Sequence, residues 1–116
     1  MIYRSEDATV REIDGCHDGN GVLHCNELFK SGDSDAPGFR FVHDSIVDPG
    51  VTIGEHTHTD DEEIYFIASG SGTMRIDGKD QPVAAGDICI TRPGHSHSLE
   101  NTGQVPMHLI VIGTNL

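Results

Sequence analysis

Turn signals recur at short intervals through the second half of the chain, and no other feature constrains its fold as strongly. They combine glycine with proline, aspartate or serine, as in Pro49-Gly50, Asp77-Gly78 and Pro93-Gly94. Short runs rich in Ile, Val, Thr, Tyr and Phe lie between them, at residues 63–68, 73–76, 81–84, 88–91, 97–100 and 107–112. Because no window carries a helical apolar period with caps, the pattern predicts an all-β sandwich or barrel.

The first half of the chain continues this pattern with longer strands. Strands are predicted at residues 22–29 and 39–47, and shorter ones at 2–4 and 10–13. A loop rich in Gly, Ser, Asp and Pro is predicted at residues 30–38. Since the sequence shows no internal repeat, low-complexity tract or linker, residues 1–116 are expected to form a single domain.

The charge and the cysteine content exclude several classes of partner and location. The formal net charge of -12 repels phosphate backbones and anionic lipid, so neither a nucleic-acid partner nor a membrane surface is expected. Three widely spaced cysteines without a CxxC pattern argue against a disulfide framework and favour a reducing compartment. The first residues also lack the apolar stretch of a signal peptide, so a cytoplasmic location is predicted.

Two apolar runs lack the alternation that a half-exposed strand shows. They are Ile-Tyr-Phe-Ile at residues 64–67 and Leu-Ile-Val-Ile at residues 109–112. If one face of such a strand lines the interior, the other face still needs cover, either from an N-terminal strand or from a second subunit. Of these two sources we favour the second subunit, and therefore predict a homodimer.

His56 and His58 are the first candidates for metal ligands. On an extended strand both side chains point to the same face, so their imidazoles can converge on one ion. Glu62 and Glu63 compete for the next ligand position. Glu63 is preferred because it begins an apolar strand, where a carboxylate is held more rigidly than on a loop. The acidic residues 60–62 are then expected to form a solvated turn.

His95 and His97 are both candidates for a further ligand. His95 directly follows the turn at Pro93-Gly94, whereas His97 shares its strand face with Leu99, which is expected to point inward. Asn101 lies on the same face and is expected to hold the end of the strand by hydrogen bonding. These observations alone leave the choice between the two histidines open.

Residues 50–70 and 86–101 resemble the two motifs of the cupin superfamily. The first motif contains a glycine, His-x-His, a glutamate and a second glycine, and it is matched by Gly50, His56, His58, Glu63 and Gly70. The second contains a glycine, Pro-x-Gly, a histidine and an asparagine, and it is matched by Gly86, Gly94, His97 and Asn101. The departure is Arg92, which stands where the family usually has proline, with Pro93 following it.

The resemblance implies a cupin-type double-stranded β-helix, or jelly-roll barrel, that binds one divalent metal ion. The implied ligands are His56, His58, Glu63 and His97. Three imidazoles and one carboxylate suit Fe, Mn, Ni, Co, Cu or Zn, and the sequence does not distinguish these ions. Four protein ligands leave two positions open on a six-coordinate ion, which is what a substrate, water or dioxygen needs.

The resemblance further implies an enzyme acting on a small oxygen-rich molecule, such as an organic acid, a sugar derivative or a dioxygenated compound. Dioxygenase, decarboxylase, isomerase and lyase chemistry all occur in similar cupins. Glu63, Tyr65 and His43 are the candidate catalytic residues, since Tyr65 shares the strand face of Glu63 and His43 lies on the strand before the first motif. The alternative is a non-catalytic binding module in which the metal only anchors a small molecule.

The motifs do not assign a position in such a barrel to the other basic side chains. His17 lies among aspartate and glycine residues and is expected to be a solvated loop residue. An arginine inside the barrel would indicate a substrate with a carboxylate or phosphate, because an unpaired buried guanidinium is costly. The sequence does not show which of the following residues line the pocket: Arg40, Arg75, Arg92, His95 and His108.

Overall fold

The structure is a computed structural model that describes residues 1–30 and 36–116. Within these residues the chain forms ten strands and two single 3₁₀ turns, at Ser5–Asp7 and Cys16–Asp18. The strands are β1 (Thr9–Asp14), β2 (Val22–Lys30), β3 (Phe39–Val47), β4 (Thr52–Thr57), β5 (Asp61–Ser69), β6 (Ser71–Ile76), β7 (Lys79–Ala84), β8 (Ile88–Thr91), β9 (Ser96–Glu100) and β10 (Met107–Asn115).

The strands form two antiparallel sheets. One sheet has six strands in the order β1-β2-β3-β10-β5-β8, and the other has four in the order β4-β9-β6-β7. This is the double-stranded β-helix expected from the sequence, so the all-β prediction is confirmed. Among the described residues, no helix is long and apolar enough to cross a membrane. Cys16, Cys25 and Cys89 are all free thiols, as expected.

Most of the predicted strands form, and the exception lies at the N-terminus. The strand predicted at residues 2–4 is wrong, because this segment pairs with no sheet and leads directly into the 3₁₀ turn Ser5–Asp7. Tyr3 is held by side-chain packing instead, edge-on to Phe29 with ring centroids 5.2 Å apart. The loop predicted at residues 30–38 falls mainly on residues 31–35, which lie outside the described residues.

The interior between the sheets changes from apolar to polar along β4, β5 and β9. On β5 the buried positions run from Ile67 through Tyr65 and Glu63 to Asp61. The paired strands follow the same gradient, since Ile53 lies opposite Leu99 and His56 lies opposite His97. The apolar end forms the core, so the polar side chains are gathered at the other end of the barrel. The core residues include Val47, Ile53, Ile67, Met74, Leu99, Met107 and Leu109.

The outer face of the six-stranded sheet is unusually apolar. On β3, β10, β5 and β8 the outward residues are in register, with Val42 beside Ile112, Ile112 beside Ile64 and Ile64 beside Ile90. Ile88 and Ile90 are 57% and 51% exposed. The N-terminal strand does not cover this face, because β1 pairs with β2 and extends the sheet at its edge. We call this face the apolar sheet face, and it comprises Val42, Ile46, Ile64, Phe66, Ile88, Ile90, Ile110 and Ile112.

Candidate metal centre

Four side chains from both sheets meet at the polar end of the barrel. His56 and His97 come from the neighbouring strands β4 and β9, His58 directly follows β4, and Glu63 projects from β5 in the opposite sheet. The Nε2 atom of His97 lies 2.9 Å from Nε2 of His56 and 3.0 Å from Nε2 of His58. Glu63 Oε1 lies 3.1 Å from His97 Nε2 and 3.4 Å from His58 Nε2. One ligand atom from each of the four residues therefore lies within 4.8 Å of every other.

An irregularity in β4 aims His56 into the barrel. Ile53 and His56 are three residues apart, so on a regular strand they would face opposite ways. The register of β4 with β9 shifts between these two residues, which is the signature of a β-bulge. The extra residue restores the inward direction, so both Ile53 and His56 lie opposite inward residues of β9.

A tight turn between β8 and β9 positions His58. The His95 N–H donates to the Arg92 carbonyl at 3.1 Å, and Gly94 between them has φ +86, a backbone region that favours glycine. His58 then pairs with this turn through its own backbone, donating to the His95 carbonyl and accepting from the Gly94 N–H. The turn thus forms with Pro93 and Gly94 at its centre, although Arg92 occupies the position where the motif usually has proline.

Hydrogen bonds on the outer nitrogens of the three imidazoles orient their inner nitrogens. His56 Nδ1–H donates to the Gly54 carbonyl at 2.8 Å, and His58 Nδ1–H donates to the Asp61 carboxylate at 3.2 Å. His97 Nδ1 shares a hydrogen bond with the hydroxyl of Thr91 at 2.8 Å. The acceptor-only partners of His56 and His58 fix the tautomers of these two rings and leave their Nε2 lone pairs free, as they do for histidines that bind metals.

The cluster has the properties of a cation site. Glu63 Oε1 is fully buried and makes no hydrogen bond, which is costly for a carboxylate oxygen. Burial lowers the pKa of His56 to about 4, against a smaller opposing effect of its bond to Gly54, so the ring is neutral at pH 7. The unshared electron pairs that the imidazole nitrogens and the Glu63 oxygen direct at one another repel at these distances. A divalent cation would satisfy all four, and the donor set suits the borderline ions named above.

Asp61 has a place that the sequence interpretation missed. Residues 60–62 were expected to form a solvated acidic turn, but Asp61 is only 7% exposed. Its carboxylate accepts from His58 and, at 3.2 Å, from the guanidinium of Arg40. The reason is that β5 begins at Asp61, which therefore shares the inward face of Glu63 two residues later. This shared parity was the sequence signal that could have placed Asp61 inside the barrel. Asp60 is exposed, in agreement with the expectation.

The two other candidate catalytic residues, Tyr65 and His43, both line the same cavity. Tyr65 is 3% exposed, with its ring centroid 4.7 Å from that of His97. Burial raises the pKa of Tyr65 well above its usual value, so its hydroxyl stays protonated. Burial lowers the pKa of His43, although Glu27, 3.2 Å from its Nε2 atom, acts in the opposite direction. Their catalytic roles stay predictions.

A cavity of about 680 Å³ opens onto the cluster. Arg40 lines it, whereas four of the residues left open by the sequence lie elsewhere: Arg75 beside Asp80, Arg92 beside Glu62, His95 beside Asp77 and His108 beside Asp44. Arg11 lines it too and pairs with Glu27 at 3.2 Å. His17 is exposed in a loop, as expected, but one face of its ring lies flat on His56.

Comparison with known proteins gives consistent matches. Residues 43–113 match the family model described as Cupin domain. The chain is 33% identical to an oxalate-binding protein of Thermotoga maritima, over 97% of this chain and 92% of the relative. A crystal structure of a predicted oxalate decarboxylase from Thermotoga maritima is 34% identical, with a TM-score of 0.91 and complete coverage of both chains. KdgF from Halomonas sp. shares the fold, with a TM-score of 0.77 at 10% identity over 100% of this chain and 94% of that one. The chain therefore belongs to the cupin family, as its two motifs indicate.

Proposed function

We propose that this protein uses one divalent metal ion, held by His56, His58, Glu63 and His97, to act on a small carboxylate, with oxalate as the first candidate. The observation that carries the metal site is the buried and unpaired Oε1 atom of Glu63, directed at two imidazole nitrogens. Relatives described as oxalate-binding and as a predicted oxalate decarboxylase support the ligand class. When bound, the metal supplies a Lewis acid for a carboxylate oxygen.

Two arginines at the cavity offer contacts to an anionic ligand. The whole chain carries a formal net charge of -12, yet Arg11 and Arg40 both lie at this cavity. Each guanidinium is held in place by an acidic side chain, Glu27 for Arg11 and Asp61 for Arg40. The cavity also has room for organic acids larger than oxalate, since its volume lies within the usual range for small-molecule sites.

The leading form of the proposal is an enzyme, with decarboxylation as the first reaction to test. Tyr65 keeps its hydroxyl protonated beside the cluster and would donate a hydrogen bond to a bound carboxylate. His43 lies in the same sheet as Tyr65, two strands away, and with its link to Glu27 would orient the far end of the ligand. Val111 lies in register between them and Leu23 lines the same cavity, and both would limit the access of water.

The alternative is a binding protein without turnover, and one observation favours it. The acidic side chains nearest the cluster are already engaged, because Asp61 bridges His58 and Arg40 and Glu27 bridges Arg11 and His43. Among the described residues, the phenol of Tyr65 is the buried acidic hydroxyl beside the cluster. Its raised pKa makes it a weak proton donor. Catalysis of decarboxylation needs a group that delivers a proton, whereas binding does not.

Titration calorimetry and product analysis would separate the two forms. Oxalate is added to the protein loaded with Mn²⁺, Co²⁺ or Zn²⁺ and to the metal-free protein, and formate and carbon dioxide are assayed in parallel. We expect oxalate to bind only in the presence of metal. Formate production that is lost in Tyr65→Phe supports the enzyme, and binding without product supports the binding protein. Equal oxalate affinity with and without metal would overturn both forms.

We also propose that a second copy of this chain covers the apolar sheet face. Four strands about 4.8 Å apart, with about seven residues each at about 3.3 Å, give a face on the order of 400 Å² in projection. This is about half of the roughly 800 Å² per partner of a standard interface, so the contact would extend beyond the apolar sheet face. Charge does not oppose self-association here, because Asp44 is paired with His108 and Glu62 lies beside Arg92.

Size-exclusion chromatography with light scattering tests this homodimer. Phe66→Asp places a charge at the centre of the apolar sheet face and is expected to give a monomer with the metal site intact. Val105→Asp is the matched control, because Val105 is 58% exposed in the loop between β9 and β10, away from this face. A monomeric wild-type protein at micromolar concentration would contradict the proposal, as would a Phe66→Asp variant that stays dimeric.

A further inference from the structure

The loop between β1 and β2 reaches across to the metal centre from outside the barrel. In this loop the ring of His17 stacks on the ring of His56, with centroids 3.7 Å apart and planes only 12° apart. His58 and His97 meet the same ring edge-on, at 63° and 66°. His56 is therefore the one imidazole of the cluster that has an aromatic ring lying flat on its face among the described residues.

The loop is fastened to the strand that carries His56. The Gly15 N–H donates to the Gly21 carbonyl at 3.0 Å, which closes the loop at its base. Thr52 on β4 then makes two bonds with Asn20, donating its N–H to the Asn20 carbonyl at 2.9 Å and accepting the Asn20 N–H on its hydroxyl at 2.6 Å. Because β4 is an edge strand of its sheet, the loop occupies its free side.

Gly54 connects the loop to the bulge that aims His56. A Cβ atom on Gly54 would lie 1.9 Å from the carbonyl oxygen of His17, so only glycine allows the loop to approach this closely. The carbonyl of the same residue accepts the Nδ1–H of His56. Gly54 therefore contributes to both rings of the stack. Its lack of a side chain allows the backbone of His17 to approach, and its carbonyl holds the ring of His56.

The backbone of the loop is strained where it presents the ring. His17 has φ +51 and Asp18 has φ +62, so two consecutive residues with side chains occupy the left-handed region. Such conformations are unfavourable and persist only where the surrounding structure requires them. Here the backbone of the loop is held by the contacts to Thr52 and Gly54, and the His17 ring lies on the face of His56.

We propose that His17 is a positioning residue of the metal centre, whose ring sets the plane of His56 and thereby the direction of its Nε2 atom. This inference rests on the proposed metal-binding function. The ring of His17 acts through its flat surface, so a phenyl group replaces it and a non-planar side chain does not. Removing the stack uncovers one face of His56 and leaves the ring held by its hydrogen bond to Gly54 and by the edges of His58 and His97, with more freedom to rotate.

Cobalt titration of five proteins, the wild type, three His17 variants and one control, tests this proposal. The readouts are the Co²⁺ dissociation constant, the visible Co²⁺ absorption spectrum and the melting temperature of the metal-free protein. We expect His17→Ala and His17→Leu to weaken Co²⁺ binding about tenfold, as the loss of an outer contact to a ligand does, and to change the spectrum. His17→Phe should bind within about twofold of the wild type and keep its spectrum, because it retains a flat ring.

Asp18→Ala is the matched control, since it truncates the other strained residue of the same turn without touching the cluster. It is expected to keep the affinity and the spectrum of the wild type. Unchanged binding and spectra in His17→Ala would overturn the inference while leaving the metal site standing. Equal losses in Asp18→Ala and His17→Ala would overturn it as well, because they would assign the effect to the turn. A wild-type protein that binds no Co²⁺ would instead overturn the proposed function.

Discussion

The histidines inside the barrel and those on its outer surface have opposite surroundings. Three outer histidines each face a carboxylate: His24 lies between Glu12 and Asp48, His95 beside Asp77 and His108 beside Asp44. The inner Nε2 atoms of the three clustered histidines face one carboxylate, that of Glu63, and otherwise face each other, while Asp61 accepts from the outer Nδ1–H of His58. An outer histidine can satisfy its partner by taking up a proton, whereas three imidazoles in contact cannot all be protonated. The number of acids per histidine therefore separates surface ion pairs from a cation site.

The largest expected effect separates two histidines that are only two residues apart. His97→Ala should weaken binding of Co²⁺ or Zn²⁺ by more than about 100-fold, because the loss of a ligand exceeds the 10–100-fold cost of losing a partner of a ligand. His95→Ala is the control, since His95 is an outer histidine paired with Asp77 at 2.7 Å. Isothermal titration measures both. Comparable losses in the two variants would remove the distinction between inner and outer histidines.

A smaller effect is expected at Asp61, whose carboxylate accepts from the outer nitrogen of His58. Asp61→Asn removes the charge that orients His58 and holds Arg40, and should weaken metal binding about tenfold. Asp60→Asn makes the same change at the neighbouring exposed position and should bind metal as the wild type does. If the two variants bind metal equally well, Asp61 does not belong to the centre.

The sequence allowed the four clustered residues to be predicted in part because two of them, Glu63 and His97, lie on regular strands whose parity is readable. His95 and His97 have the same parity, so the distinction between them came from the family motif. The inward direction of His56 relative to Ile53 was not readable, because a bulge depends on the register with a partner strand. Asp61 was missed because a run of acids suggests a solvated turn, and the start of β5 is set by pairing with β10.

Contacts between distant segments were the least predictable feature. The stacking of His17 on His56 needs a loop to dock on the edge of another sheet, and no local pattern encodes where a loop docks. The apolar sheet face was anticipated from the two runs without alternation, residues 64–67 and 109–112. The N-terminal strand, the alternative cover, proved to extend the sheet at its edge.

Lowering the pH should reduce the stability of the metal-free protein, because His56 has a lowered pKa in the folded state. The folded-state pKa of His56 is about 4, below its ordinary value of 6.5, so between these values the unfolded chain binds the additional proton. The stability is therefore highest above pH 6.5 and is lost as the pH falls toward 4. Melting temperatures of the metal-free wild type and of His56→Gln across this range measure the effect, and the variant should lose less. Parallel curves would contradict the lowered pKa.

The smallest effect is expected at an outer histidine and has the opposite sign. Hydrogen bonds to Asp48 and Glu12 raise the pKa of His24 above 6.5, so its ion pairs stabilise the fold below that pH and are lost as the pH rises through the raised value. His24→Gln should therefore differ from the wild type more at pH 5.5 than at pH 8.5, by a small amount because the pair is exposed. A difference that grows toward pH 8.5 would reverse the assignment.

The most direct test of the account is the metal content of the folded protein. After equilibrium dialysis against Co²⁺ or Zn²⁺ and removal of free ion, elemental analysis gives the number of ions per chain for the wild type and for His97→Ala. We predict one ion per wild-type chain and close to none in the variant. No bound ion in the wild type, or one ion in both proteins, would contradict it.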